Sequence, residues 1–220
     1  MIGDGSLALW AVRLALVGAG LGGWFWTQRL IGARACPTGR IGDAVHDWTA
    51  PLNRYLNGHP AAAAALLVVT SAIIDALGLF LLGRAIFGPT FRPFIGLLIV
   101  YVLRQACQGL CALPAPEGMI WGHPGLPSLL VTYGTATDLF FSGHTAIAVV
   151  GAVELAHLGG AGWLALGIAI AVIEATTVLV LRAHYTMDVF AAIVTALGAA
   201  AAAAAVAPAV DRAIAALAGG

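Results

Sequence analysis

The chain has 220 residues, of which 61% are hydrophobic and 9% charged, with ten cations balanced by ten anions. A soluble domain carries roughly 25% charged residues, so an ordinary water-soluble globule is excluded. Zero net charge also excludes the basic field of a nucleic-acid binder. The chain reads as an all-α, polytopic membrane protein.

A hydrocarbon core about 30 Å thick takes about 20 apolar residues of helix to cross. Six stretches qualify, near 7–27, 60–83, 93–113, 142–159, 162–181 and 188–208, so six transmembrane helices in one bundle are expected. The first carries Asp4 and Arg13 and lacks a basic leader. It is therefore read as a retained helix and not a signal peptide, although Ala33-Arg34-Ala35 looks like a cleavage site. Gly18 and Gly22 predict close packing within the bundle, as does the Ala run 199–205 in the last helix; a homo-oligomer face is the alternative.

Residues 28–59 hold Arg29, Arg34, Arg40 and Arg54 together with Trp48 and Tyr55, with Trp26 just before them. That mixture predicts an interfacial helix or loop. The connection from Pro114 to Phe141 is rich in Gly, Pro and Thr and should be irregular; the other loops are short. A single domain spans 1–220, with its motifs between about 92 and 190. Cys36, Cys107 and Cys111 make no disulfide or metal framework, and the four-residue spacing of Cys107 and Cys111 suits packing on one helix face. Every cation is Arg, which favours planar, bidentate phosphate contacts.

Successive spans cross in opposite directions. The end of the third span, the start of the fourth at Ser142, the end of the fifth at Arg182 and the start of the sixth at Asp188 therefore share one face, with Arg104 deeper on the same side. Ionisable groups beside lipid are costly and mark function by default. His184 and Asp188 lie four apart, so a carboxylate can take one imidazole N–H and leave the other nitrogen as nucleophile or base. Ser142-Gly143-His144 opens a helix: Ser caps it, Gly admits an anion to the backbone, and His144 stands ready to protonate a leaving oxygen. Arg104 and Arg182 are placed to neutralise phosphoryl oxygens. His46, His59, His123 and His157 are read as interfacial packing. Asp75, Glu154 and Glu174, inside spans, are expected to pair with arginines, a proton relay being the other reading. Glu117 is a weak candidate for substrate contact.

Three strings at these residues resemble the sphingomyelin synthase and cholinephosphotransferase branch of the type 2 phosphatidic acid phosphatase superfamily. Arg104 with Leu113-Pro114-Ala115-Pro116 is similar to its Arg-x8-Leu-Pro-x-Pro string. Asp138-Leu139-Phe140-Phe141-Ser142-Gly143-His144-Thr145 resembles Asp-x3-Ser-Gly-His-Thr, and His184-Tyr185-Thr186-Met187-Asp188 resembles His-Tyr-Thr-x-Asp. The resemblance implies His184 as a nucleophile passing through a phosphohistidine, oriented by Asp188, with His144 as acid and base. It brings Asp138, Thr145 and Tyr185 into the substrate-binding set beside Arg104, Ser142, Gly143 and Arg182. No metal or other cofactor is implied. The broader phosphatase pattern opens with a Lys-x6-Arg-Pro string that this Lys-free chain lacks, and it places an Arg farther ahead of the second His than Arg182 stands from His184. Both departures point to the transferase branch.

The expected activity moves a phospho-headgroup (phosphocholine or phosphoethanolamine type) from a glycerophospholipid to a lipid alcohol such as diacylglycerol or ceramide. A lipid phosphatase or phospholipase C-like hydrolase is the alternative, and a non-catalytic transporter or scramblase the second. The resemblance implies a site on the extracytoplasmic face, and the Ala-, Gly- and Arg-rich composition points to a bacterial inner membrane. The arginine count runs weakly the other way, with four on the site side against Arg84, Arg92 and Arg212.

Overall fold

A computed structural model describes residues 4–33, 38–123 and 138–219; Cys36 and Arg34 lie outside the described residues. Among the described residues the secondary structure is helical throughout, in seven helices: α1 (Asp4–Gly32), α2 (Ala44–Gly58), α3 (Pro60–Phe87), α4 (Arg92–Leu110), α5 (Gly143–Ala156), α6 (Ala161–Val180) and α7 (Thr186–Leu217). Five of them, α1, α3, α4, α6 and α7, are long and apolar enough to cross a membrane, which makes this an integral membrane protein.

The expected span 142–159 departs from this pattern. Its helix, α5, has 14 residues and is about 21 Å long, short of the hydrocarbon thickness. The chain enters it through a non-helical strap, 138–142, and leaves it at Gly159 and Gly160, both at positive φ. Ten of its residues are buried, and it packs against α3, α4, α6 and α7. It is the central element of the bundle. Glycines let neighbours close in on it: a Cβ at Gly167 of α6 would stand 2.7 Å from the Ala152 Cα.

The α7 face that carries Ala196, Ala199, Ala203 and Ala207 is buried, and Ala203 meets α4 at Gly96. The packing expected of the Ala run is thus observed. Gly18 and Gly22 differ: both are exposed with nothing nearby, and the close approach on α1 is instead at Gly20, against the Phe94 ring. The pair lies on the outer face because α1 turns a different stripe inward: Arg13, Val17, Trp24, Gln28 and Ile31.

The 28–59 segment contains one amphipathic helix, α2. It buries His46, Asn53 and Leu56 and exposes Trp48, Leu52 and Tyr55, the disposition of an interfacial helix. The connection after α4 is irregular from Cys111 to His123; its remainder, 124–137, lies outside the described residues.

Opposite the 138–142 strap, buried charges are paired. Arg92 grips Glu154 with two bonds of 2.9 Å, and Arg13 reaches the Gly88 carbonyl at 2.7 Å and Asp211 at 3.4 Å. Glu174 takes the Thr70 hydroxyl, not an arginine.

Candidate active site

The strap at 138–142 gathers the four helix ends. Arg104 on α4 donates Nε to the Phe141 carbonyl at 2.8 Å and Nη2 to the Asp138 carbonyl at 2.9 Å. Gln108, one turn on, donates to the same Asp138 carbonyl at 2.7 Å. The Ser142 N–H donates to the Asp188 carbonyl at the start of α7, at 3.2 Å. An arginine in mid-span thus satisfies backbone carbonyls that no helix uses, which is how irregular chain is tolerated at membrane depth.

The result is a cavity of about 40 Å³ lined by His144, His184, Arg104, Gly143, Asp138, Leu139, Ala183, Trp121 and groups from α1, α3 and α4. That volume accommodates a few waters or one compact polar group. Both catalytic candidates, His144 and His184, are buried and face it. Asp138 accepts from Gln28 of α1 at 2.8 Å and lies 3.6 Å from Arg104. It offsets the guanidinium charge from behind.

The His184 ring is held otherwise than its spacing suggests. Its Nδ1 lies 2.7 Å from the Leu139 carbonyl, whereas Asp188 Oδ2 is 3.8 Å away. A carbonyl only accepts, so the ring carries its proton on Nδ1 and its lone pair on Nε2. Asp188 is occupied at its own helix start, where Oδ2 takes the Tyr185 N–H at 2.8 Å in a capping box. The expected Asp188–His184 hydrogen bond is therefore replaced by Leu139–His184. Asp188 remains as a fully buried charge one turn away.

Ser142 caps α5, accepting from the Thr145 N–H at 3.3 Å and from its hydroxyl at 3.0 Å. Thr145 is thereby a supporting residue for the cap. Gly143 is close-packed for a reason: a Cβ there would stand 3.4 Å from Arg104 Nε. The first turn of α5 and the guanidinium thus share one edge of the cavity, where helix N–H groups and a cation favour an anion together. His144 meets the Trp121 ring edge-on at 5.1 Å, and its Nε2 has no protein partner.

Arg182 and Tyr185 lie elsewhere. Arg182 has φ 55, the left-handed region, where it turns the chain sharply from α6 toward α7. Its guanidinium donates to the Glu117 carbonyl at 2.6 Å and the His46 carbonyl at 3.0 Å. Those bonds hold the turn; they leave Arg182 off the cavity that the two histidines share. The Tyr185 hydroxyl donates to the Pro114 carbonyl at 3.0 Å, binding the Leu-Pro-x-Pro segment. Both residues line a separate outer cavity of about 370 Å³. The Glu117 carboxylate is an exposed partner of Arg40 at 3.1 Å.

The interfacial segment that holds α2 was expected, but its tie to the site was not. Its buried His46 lies with Nε2 2.9 Å from the carbonyl of His184 itself, and its ring stacks on Tyr185. Asp43, the N-cap of α2, accepts from the Thr186 N–H at 2.6 Å and hydroxyl at 2.8 Å. Burial pushes the Asp43 carboxyl up, but the bonds from Thr186, with the nearby His46, outweigh it and hold the group below its ordinary 3.8. The interfacial helix is thus latched to the turn that presents His184. No motif announces this. On α1, by contrast, a signal was present: Trp24 and Gln28 recur four apart on the stripe begun by Arg13, as polar groups in a lipid-facing helix should not do without cause.

A family model described as AtPDCT1/2 matches residues 43–207, from the Asp43 latch through most of α7. The match takes in all three motifs and leaves α1 outside. No curated protein and no solved structure matches the chain. Spanning well over half of the sequence, the match establishes that the chain belongs to the AtPDCT1/2 family, the phosphatidylcholine:diacylglycerol cholinephosphotransferases, membrane enzymes of lipid headgroup transfer.

Proposed function

We propose that this protein moves a phosphocholine- or phosphoethanolamine-type headgroup from a glycerophospholipid to diacylglycerol or ceramide by a ping-pong mechanism. The observation that carries the reading is one buried cavity shared by His144, His184 and Arg104, with the His184 lone pair on Nε2. In the first step Nε2 attacks phosphorus and the bond from phosphorus to the diacylglycerol oxygen breaks. His144, protonated, gives that oxygen its proton, and diacylglycerol leaves. In the second step His144 takes the proton of the incoming alcohol, whose oxygen attacks phosphorus as the P–N bond breaks and His184 is restored.

Arg104 and the first turn of α5 balance the phosphoryl charge, and Asp188 stabilises the positive imidazole of the intermediate at 3.8 Å. Arg182 acts here by holding the turn and not by touching phosphate. The family match ranks transfer above the hydrolase reading. In this reading α5 completes six membrane-embedded helices, with both termini cytoplasmic and the site extracytoplasmic in a bacterial inner membrane. Cysteines introduced at Asn57 and Gly88 test that: labelling of Asn57→Cys only from the cytoplasmic side contradicts it.

The mechanism is tested by trapping. Purified protein incubated with phosphatidylcholine and no acceptor should gain a phosphocholine mass on the peptide that holds His184. Its absence in wild type, under conditions that support transfer, would exclude the covalent route in favour of direct transfer.

A further inference from the structure

Two aromatic residues line the cavity of the histidines from the side of α1 and α4. Trp24 and Tyr101 are each 6% exposed, and their rings stack with centroids 5.0 Å apart. Each carries one donor: the indole Nε1 of Trp24 and the hydroxyl of Tyr101. Both atoms are buried, and neither has a protein partner. His144, on α5, lines the same cavity, and its Nε2 is in the same condition.

Buried donors are not left idle without cost. Each unsatisfied group carries a desolvation penalty of about 1–3 kcal/mol, and buried Tyr and Trp normally find partners. Phenylalanine at position 101 would fill the space without that penalty. Three such groups around one polar cavity, beside an arginine, form a wall that suits a ligand rich in oxygen acceptors. The cavity suits a group of phosphate size.

Arg104 commits Nε and one Nη2 proton to the Phe141 and Asp138 carbonyls, and the Asp138 carboxylate sits 3.6 Å from Nη2. The rest of its fork serves an anion from one side only, and neutral donors on α1 and α4 complement it.

We propose that Trp24 and Tyr101 are phosphoryl-binding residues: the indole N–H and the phenol O–H donate to non-bridging oxygens of the transferred headgroup, opposite the first turn of α5. The proposal deepens the headgroup-transfer reading and rests on it for the identity of the ligand. It also gives α1, which lies outside the family match, a direct part in the site. Neutral donors fixed on stacked rings cost no reorganisation as charge shifts onto these oxygens in the transition state.

The test uses two readouts on the full-length protein. Tyr101→Phe keeps the ring and removes the donor; Trp24→Phe keeps a smaller aromatic ring and removes the donor. Each should lower kcat by ~10²-fold, the usual loss for one preorganised donor, and leave KM within about threefold. Independently, 15N-labelled wild type is titrated with phosphocholine while the indole resonance missing from Trp24→Phe is followed. A saturable shift of that resonance is expected, and it requires no turnover.

A saturable shift in a protein inert in lipid transfer would leave the subsite standing and sink the transferase reading. No shift of the resonance would overturn the proposal, whatever the rates. A kcat loss that vanishes with diether lipids, which lack the acyl carbonyl, would overturn it as well by assigning the donors to that carbonyl.

Discussion

His184 leans on the carbonyl of Leu139, 2.7 Å from its Nδ1, and so presents a bare Nε2 to the cavity. The carboxylate of Asp188, at 3.8 Å, supplies field and not a hydrogen bond. The two duties often combined in one acidic residue are divided here between a backbone carbonyl and a buried charge.

Asp188→Asn should therefore leave the ring in place and remove only the charge. The amide oxygen still accepts from the Tyr185 N–H, so folding should be close to normal. A fall in kcat of ~10²-fold with KM nearly unchanged is expected, because the carboxylate acts on charge that appears only during attack. Steady-state kinetics with fixed donor and varied acceptor check this.

The latch from α2 makes a second prediction. His46 Nε2 holds the carbonyl of His184 at 2.9 Å, so His46→Ala should loosen the turn that aims the nucleophile. A displacement near 1 Å costs about 10²-fold in rate, and a partial release less. We expect a kcat ~10-fold lower than wild type, with His46→Gln, whose amide can donate to the same carbonyl, recovering most of it. Equal losses in both variants would mean that His46 contributes packing alone.

The same latch responds to acid. The Asp43 carboxyl titrates below its ordinary 3.8 because the folded state gives it Thr186 and His46. A depressed folded value means that the stabilisation is present above the ordinary carboxylate range and is lost as pH falls through the lower folded value. Unfolding midpoints in detergent should decline below about pH 4 in wild type, and the slope should flatten in Asp43→Asn.

The opposite end of the bundle carries a pair whose worth can be measured. Glu154→Gln leaves Arg92, bound through two contacts of 2.9 Å, without its counter-charge. Removing one partner of a buried pair costs about 3–5 kcal/mol, whereas replacing both by apolar groups is often neutral. Thermal melts of Glu154→Gln and of the double variant Arg92→Met with Glu154→Leu should show a large loss in the first and recovery in the second.

Much of this was legible because membranes constrain a chain so strongly. Apolar length marked the spans, and alternation of direction placed Arg104, Ser142, Arg182 and Asp188 at one end. The cap at Ser142 followed from its place before a helix. The Leu139–His184 bond was not legible, because spacing records only that His184 and Asp188 are one turn apart. The turn at Arg182, with φ 55, and the capping duty of Asp188 set the actual contact. The rotation of α1 was signalled only by Arg13, Trp24 and Gln28, whereas Gly18 and Gly22 drew attention to the outer face. The shortness of α5 escaped because an apolar run does not disclose where its helix ends, here at Ala156 ahead of Gly159 and Gly160. The latches from His46 and Asp43 join residues more than 130 positions apart, beyond any local pattern.

The central claim is headgroup transfer through His184, and lipid mass spectrometry in mixed micelles tests it most directly. Phosphatidylcholine and phosphatidylethanolamine serve as donors, isotopically labelled diacylglycerol and ceramide as acceptors, with wild type beside His184→Ala. Labelled phospholipid or sphingolipid is expected from wild type alone. Free phosphocholine or phosphoethanolamine without labelled lipid product, or equal product from His184→Ala, would contradict it.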